Sequence, residues 1–157
     1  MKQASRIPRV DLEELLTYRI SSLYSQLSAG IAKELAGHFG LVLREWRVMA
    51  MLARLDSTPA STLVARSPMD KASVSRAVAS LARRRLLRAF ASPQDARVKM
   101  LQLTPSGWSL YAKVAPRSLA RQKALMTVLT AAERESLMSM LSRLGTQVAR
   151  HFGTATA

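Results

Sequence analysis

The sequence predicts a mainly α-helical protein in which a two-stranded β hairpin follows a helix-turn-helix, with further long helices on both sides. Apolar residues recur at helical spacing along most of the chain, and the spacing becomes alternating only between residues 87 and 103. Two short helical segments separated by a tight break come directly before that change. At 157 residues the chain is long enough for one compact domain with its own core.

The chain is strongly basic, with 24 Lys and Arg residues against 10 Asp and Glu residues and a formal net charge of +14 at pH 7. The basic residues are spread through a sequence that is 48% hydrophobic, which indicates a charged folded surface rather than a disordered tail. Such a surface predicts a polyanionic partner, with nucleic acid the leading class and an anionic membrane surface the second.

Cysteine is absent, which excludes disulfides, thiolate metal ligands and thiol redox sensing. No acidic or Cys cluster accompanies His38 or His151, so we expect no metal site and no cofactor. Neither an apolar leader segment nor a run of about 18 apolar residues occurs, and we therefore expect a cytoplasmic protein with no membrane role.

The first predicted helix begins at Asp11, with Glu14 placed to complete a capping box, and ends near Gly37. Its apolar stripe has a helical period and consists of Leu12, Leu16, Ile20, Leu23, Leu27, Ile31 and Leu35. A helix of roughly seven turns is longer than a small domain needs for its own core. We therefore expect residues 11–37 to form a dimerisation helix.

The next three helical segments form the predicted helix-turn-helix. They cover residues 41–55, residues 61–65 and a helix that Asp70 or the residue before it caps. The capped helix has an apolar face of Val74, Ala77, Val78 and Leu81, and basic and hydroxyl side chains lie away from it.

A hairpin and two further helices complete the chain. Strands are predicted at residues 87–92 and 98–103, separated by a turn at residues 93–97. Thr104 and Pro105 start a helix that we expect Pro116 to kink or divide, and Thr130 with Glu133 forms a capping box for the last one. Residues 105–152 are thus predicted to be dimerisation helices, and residues 41–104 the lobe between the two helical regions.

This order of elements resembles the MarR family of winged helix-turn-helix transcription regulators, whose dimers bind palindromic DNA. The resemblance covers about residues 11–150, and its motifs are Asp70 to Val78, Leu81 to Leu87, Ser92 to Arg97, Leu103 to Gly107, and Trp46-Arg47. It implies a winged helix-turn-helix domain with a two-stranded β wing, flanked by N- and C-terminal dimerisation helices. Where the family commonly has glycine in the helix-turn-helix break, this chain has Arg66-Ser67-Pro68.

The charge coincides with these motifs, because residues 71–123 contain twelve Lys or Arg residues and one acid, Asp95. Basic side chains neutralise phosphates, whereas short or forked donors near the start of a groove-binding helix recognise bases. Asp95 would weaken DNA binding by itself, so we expect it to hold an arginine in position. The predicted DNA-binding residues are Lys71, Ser73, Ser75, Arg76, Arg83, Arg84, Asp95, Arg97 and Lys99. Arg76 is the leading base-recognising residue, and Arg97 suits a narrow minor groove.

A ligand site is a further hypothesis. Arg19 lies within the apolar sector of the first helix, where a buried guanidinium needs an anion or a hydrogen-bonding partner. Two interpretations stay open: a carboxylate anchor for a small aromatic or acyl effector, or a structural ion pair with Glu13, Glu14 or another acid. Tyr18, Trp46 and Tyr111 are predicted to line the same site, with core packing as the alternative for each.

We therefore expect a homodimeric, sequence-specific repressor of a palindromic operator in double-stranded DNA, released by a small-molecule effector. The alternative is a non-specific or architectural nucleic-acid-binding protein without an effector. An enzyme is not expected, because no phosphate-binding glycine loop, paired-carboxylate motif or nucleophile-base set is present.

Overall fold

A computed structural model describes residues 9–153. The chain divides into two compact units, with the boundary between Leu43 and Arg44. Its helices and strands, in chain order, are α1 Leu16–Phe39, α2 Leu43–Leu55, β1 Ser57–Pro59, α3 Ala60–Ala65, α4 Lys71–Arg83, β2 Leu87–Ala91, β3 Lys99–Leu103, α5 Pro105–Leu125 and α6 Ala131–Phe152. The prediction of a mainly helical winged helix-turn-helix is confirmed.

The first unit is dominated by α1. Asp11 caps a short 3-10 turn, Leu12–Glu14, and the α-helix begins only at Leu16, so the prediction of one helix starting at Asp11 is wrong. The interruption arises because Leu15 adopts an extended conformation between the two segments. The helix ends two residues later than predicted, where Gly40 takes the left-handed conformation that glycine adopts without steric cost.

The apolar stripe of α1 changes in exposure along its length. At its C-terminal end Leu35 is buried, and Leu27 and Ile31 are half-buried. At its N-terminal end Leu16, Ile20 and Leu23 are 51%, 47% and 59% exposed. Because this apolar face lies in contact with water within the single chain, it is available for a partner surface.

In the second unit, the buried apolar side chains come from helices α2 to α5, from strands β2 and β3, and from the segments that precede α4 and β2. They are Val48, Met49, Leu52, Leu63, Met69, Val74, Ala77, Leu81, Leu86, Leu87, Leu101, Leu103 and Val114. The predicted apolar face of α4 is therefore buried, with Val78 half-buried at its edge.

The wing belongs to a sheet of three strands, in the order β1-β3-β2, with all neighbours antiparallel. The prediction of a two-stranded hairpin is correct for β2 and β3 but does not include β1, which follows α2 directly. Ser57 pairs with Gln102 and Pro59 with Met100. Pro59 is tolerated because β1 lies at an edge of the sheet, where a missing backbone N–H costs no interior hydrogen bond.

Three predicted helix starts are confirmed. The side chains of Asp70, Thr104 and Thr130 accept hydrogen bonds from backbone N–H groups three residues later, and Thr130 forms the predicted capping box with Glu133. Of the two effects expected of Pro116, a kink or a division of the helix, the division is wrong, because α5 continues from Pro105 to Leu125. The division comes instead at the 3-10 turn Met126–Val128.

Gly107 fixes the contact between the start of α5 and the segment that leads into β2. A Cβ atom at this position would overlap the Leu86 carbonyl oxygen and lie 3.0 Å from the Leu86 carbonyl carbon. The same carbonyl oxygen accepts a hydrogen bond from the Thr104 backbone N–H at 3.1 Å. Only a glycine permits so close an approach of two backbone segments.

Candidate nucleic-acid interface

The exposed face of α4 carries the side chains predicted to recognise bases. Lys71, Ser75, Arg76 and Arg83 are exposed, whereas Ser73 is half-buried. Each successive residue turns by about 100° around a helix, so the four exposed residues fall within one sector, opposite the buried Val74, Ala77 and Leu81. The helix thus presents a continuous polar and basic face.

A series of hydrogen bonds links three side chains at the N-terminal end of this face. The Ser73 backbone N–H donates to Asp70 Oδ1 at 2.6 Å, and the Ser73 hydroxyl donates to Asp70 Oδ2 at 3.1 Å. Arg76 Nη2 in turn donates to the Ser73 hydroxyl at 3.2 Å. The Ser73 N–H, followed by its hydroxyl, lowers the pKa of Asp70 below its usual value of 3.8. Ser73 therefore links the helix cap to Arg76, a role that its position in the sequence did not reveal.

The break before α4 is ordered without the glycine that is common in the family. Arg66 follows the last residue of α3, and the Ser67 hydroxyl accepts a hydrogen bond from the Met69 backbone N–H at 3.3 Å. Met69 is buried, and Asp70 then caps α4. A serine turn and a buried side chain thus fix the direction in which α4 begins.

Small residues separate the charged positions on α4. Ala72, Ala79 and Ala82 are exposed on the same sector as Ser75. A helix face of this kind allows the backbone to approach a groove closely, and alanine methyl groups contact the methyl group of thymine. These alanines could not be identified from the sequence, because exposed alanines carry no signal until the orientation of the helix is known.

The wing tip contains the ion pair expected for Asp95. Arg97 Nε lies 3.1 Å from Asp95 Oδ1, and the Arg97 backbone N–H donates to the same oxygen at 3.0 Å. The Arg97 side chain, followed by its backbone N–H, lowers the pKa of Asp95 below 3.8. Since the Arg97 side chain remains 92% exposed, the ion pair restrains the guanidinium without burying it.

The strands of the wing carry two further basic side chains. Lys99 is exposed at the start of β3, opposite Ala91 of β2. Arg88 Nη2 donates to Gln102 Oε1 at 2.9 Å, and its guanidinium lies 5.7 Å from the centre of the Phe90 ring. Both positions add positive charge along the hairpin.

The arginines at the C-terminal end of α4 do not share one environment. Arg83 is exposed, whereas Arg84 Nη1 lies 3.2 Å from Oε2 of the buried Glu45, with the Arg84 side chain 35% exposed. The Ser80 hydroxyl donates to the other oxygen of Glu45 at 2.6 Å. The sequence gives no sign of this difference between Arg83 and Arg84, and none of the role of Glu45.

Two of the residues predicted to bind a ligand lie together in the second unit. The rings of Trp46 and Tyr111 stack with their centres 5.6 Å apart, and Trp108 meets Tyr111 edge-on at 5.7 Å. Trp108 remains 38% exposed. The cluster offers an accessible aromatic surface between α2 and α5.

The other two predicted ligand residues, Tyr18 and Arg19, belong to the first unit. They line a surface groove of about 400 Å³ together with Glu13, Ser22, Leu23 and Gln26. Arg19 is exposed rather than buried, because the apolar sector around it is uncovered in the single chain. Its Nε donates to the backbone carbonyl of Glu13 at 2.7 Å.

Within residues 9–153, no group of three His, Asp or Glu side chains is arranged to hold a metal ion. Among the helices of the same residues, none combines the length and the apolar character that crossing a bilayer requires.

Known proteins resemble this chain both in sequence and in structure. Residues 39–98 match the sequence model of the MarR family. The uncharacterized HTH-type transcriptional regulator YhbI of Bacillus subtilis is 34% identical over 77 residues, which are 49% of this chain and 50% of that protein, so the chain spans about half the length of this relative. A MarR/EmrR family regulator from Acinetobacter sp. ADP1 has a similar structure, with a TM-score of 0.84 and 24% identity over 90% of this chain and 99% of that one. Bordetella bronchiseptica BpsR, whose DNA binding is regulated by 6-hydroxynicotinic acid, gives a TM-score of 0.77 with 21% identity over 87% of this chain and 97% of its own.

Proposed function

We propose that this chain, whose residues 39–98 match the sequence model of the MarR family, is a homodimeric transcriptional repressor that binds a specific sequence in double-stranded DNA. The observation that carries the proposal is the chain of hydrogen bonds from Asp70 through Ser73 to Arg76. It restrains a forked donor at the exposed start of α4, where base recognition requires one. A protein that bound DNA through charge alone would not need this restraint.

The wing supplies a second restrained arginine. Arg97 is held by Asp95 and exposed to solvent, which suits insertion into a narrow minor groove. Lys71, Arg83 and Lys99 are exposed and add the phosphate contacts that provide affinity without sequence information. In this proposal α4 enters the major groove and the wing contacts the adjacent minor groove.

The dimer would form through the terminal helical regions, residues 11–37 and 105–152, with residues 41–104 as the DNA-binding lobe. Apolar side chains are exposed near the start of α1, and α6 also carries such a series: Met140, Leu141, Leu144 and Val148. An uncovered apolar area of this extent is typical of a surface that packs against another protein. A two-fold symmetric dimer would place two copies of α4 on the half-sites of a palindromic operator.

We further propose that a small aromatic or acyl effector, either anionic or neutral, lowers DNA affinity. In the second unit, support comes from the exposed ring of Trp108 beside the stacked Trp46 and Tyr111. In the first unit, it comes from the exposed Arg19, whose Nε donates to the Glu13 backbone carbonyl. A ligand acts in this way only if it binds the DNA-free arrangement more tightly than the bound one. Since Trp46 and Trp108 are the two tryptophans of the chain, fluorescence titration with aromatic carboxylates such as benzoate tests the proposal.

The test of sequence recognition begins with selection of duplexes from a random library by the purified protein. The selected duplex and a scrambled duplex of equal length are then titrated at several salt concentrations. We expect a preference for the selected duplex, and we expect Arg76→Ala to weaken its binding by roughly 5- to 150-fold, the range for loss of a base contact. Arg54→Ala, which removes an exposed charge from the end of α2, is the matched control.

Equal and steeply salt-dependent binding to both duplexes would instead identify a non-specific architectural protein. An Arg76→Ala variant that bound like Arg54→Ala would remove Arg76 from base recognition.

A further inference from the structure

We propose that Glu45 is a positioning residue that sets the orientation of α4 on DNA, and that Arg84 acts through Glu45 rather than on a phosphate. The proposal rests on the DNA-binding function proposed above. It concerns a carboxylate on α2 that is 4% exposed and that bonds both Ser80 and Arg84 at the C-terminal end of α4.

Burying the ionised carboxylate of Glu45 costs free energy. An ionised group loses hydration on burial and must recover it through hydrogen bonds and an opposite charge. Part of this hydration is replaced by the Ser80 hydroxyl, which donates to Oε1 at 2.6 Å, and by the Arg84 guanidinium, which donates to Oε2 at 3.2 Å. Each oxygen thus has its own partner, and the two partners lie one helical turn apart.

Stability alone does not account for a glutamate at position 45. Glu45 lies in the first turn of α2, whose dipole favours a negative charge, but also beside the C-terminal end of α4, whose dipole disfavours one, so the two helix dipoles act on it in opposite directions. Replacing a buried ion pair with apolar residues of similar volume is often neutral or stabilising. A buried, directional pair is instead suited to specifying one arrangement of two helices.

The orientation of α4 affects how its side chains recognise bases. Two hydrogen bonds one turn apart resist both rotation of α4 about its axis and tilting of its end. A helix with its side chains is about 10–12 Å in diameter, so a rotation of about 10° moves a side-chain tip by roughly 1 Å. Arg76 lies on the same helix, and a displacement of that size exceeds the tolerance of a hydrogen bond to a base edge.

A second restraint acts beside the first. The Thr104 hydroxyl donates to the carbonyl of Arg85, directly after α4, at 2.7 Å. The C-terminal end of α4 is therefore held from α2 and from the start of α5, while Arg76 and the other donors near its N-terminal end remain exposed. Restraint at one end and exposure at the other is the arrangement that directs a helix toward a ligand.

The test compares the ratio of affinities for the selected and scrambled duplexes among variants. Glu45→Gln keeps the size of the side chain and an acceptor oxygen but removes the charge, and Ser80→Ala removes the second hydrogen bond. We expect each to lower the ratio about tenfold, chiefly through weaker binding of the selected duplex, and to leave the salt dependence unchanged. Arg84→Ala should act in the same way, and the double variant Glu45→Gln/Arg84→Ala should lose less than the sum of the two single effects.

Arg83→Ala is the matched control, because Arg83 is the exposed neighbour of Arg84. We expect Arg83→Ala to weaken binding of both duplexes equally and to lower the slope of log K against log salt by roughly 0.9, as loss of one phosphate contact does. If Arg84→Ala gives this same pattern, Arg84 is a phosphate ligand and the proposal is overturned.

Two further outcomes are decisive. Glu45→Gln and Ser80→Ala variants that lose thermal stability but keep the wild-type affinity ratio would give Glu45 a structural role only, against the proposal. If Glu45→Gln fails to fold, the Ser80→Ala ratio decides by itself. If the wild-type protein does not distinguish the two duplexes, the proposed function of sequence recognition is refuted. This outcome differs from one in which the wild type distinguishes them and the variants keep its ratio, which refutes only the role of Glu45.

Discussion

Replacing Gly107 with alanine tests the close approach between the start of α5 and the segment before β2. The added methyl group would overlap the Leu86 carbonyl oxygen and lie 3.3 Å from Leu103 Cδ2. The two backbone segments would have to separate, which disturbs the hydrogen bond from Thr104 N–H to the same carbonyl. The substitution therefore introduces a steric clash and weakens one hydrogen bond.

The expected cost follows from three contributions. Overpacking against a fixed backbone costs about 3 kcal/mol, at the upper end of its usual range. The disturbed hydrogen bond adds about 1 kcal/mol. Alanine is favoured over glycine inside a helix by about 1 kcal/mol, which offsets part of the loss. The net decrease in the free energy of unfolding is therefore about 3 kcal/mol, equivalent to a fall in Tm of roughly 6–12 °C for a chain of this size.

Urea unfolding at fixed protein concentration, followed by circular dichroism, measures this decrease. Gly37→Ala is the control, because Gly37 lies within α1 and a Cβ atom there meets nothing within 4 Å. Helix propensity alone predicts that Gly37→Ala stabilises the protein by up to about 1 kcal/mol. If Gly107→Ala matched or exceeded wild-type stability, the inferred backbone contact would be wrong.

Three further predictions concern the wing, the dimer and a helix cap. Asp95→Asn should weaken binding to the selected duplex although it removes a negative charge, since Arg97 loses its restraint; tighter binding would contradict this role. Leu141→Glu should produce a monomer in sedimentation velocity experiments, whereas Ser139→Glu, on the other side of α6, should leave the dimer intact. If both variants remain dimeric, this part of α6 does not belong to the interface. The backbone N–H and hydroxyl of Thr130 lower the pKa of Glu133 below its usual value of 4.5, so the ionised Glu133 stabilises the fold above that pH and loses this effect as the pH falls through its lower folded pKa. The unfolding midpoints of wild type and Glu133→Gln should therefore differ at pH 7 and converge in acid. A difference that does not change with pH would show that the charge of Glu133 is not the cause.

Local side-chain chemistry explains which parts of the fold the sequence predicted. Asp70, Thr104 and Thr130 cap helices through groups three residues away, so their signals lie within a single turn. Strand β1 gave no such signal, because it has three residues and its partner Gln102 lies far along the chain from Ser57. Pairing at that separation depends on tertiary structure, which periodicity does not report.

The same distinction applies to the candidate interface. The pairing of Asp95 with Arg97 was predicted, since the residues are two positions apart. Glu45 was missed, because its partners Ser80 and Arg84 are 35 and 39 residues away and a single glutamate on a helix has no pattern of its own. Pro116 is the opposite case: its local signal included a division of the helix, but α5 continues through it to Leu125.

The short first strand has a consequence for the behaviour of the protein at high concentration. Exposed sheet edges can recruit strands from neighbouring molecules and begin aggregation. Here one outer edge is formed by only three residues and ends in Pro59, which has no N–H to donate, while the other outer edge carries the exposed cation Arg88. Both edges therefore disfavour the growth of a continuous sheet between molecules, so that wings brought close together in a crowded solution remain separate.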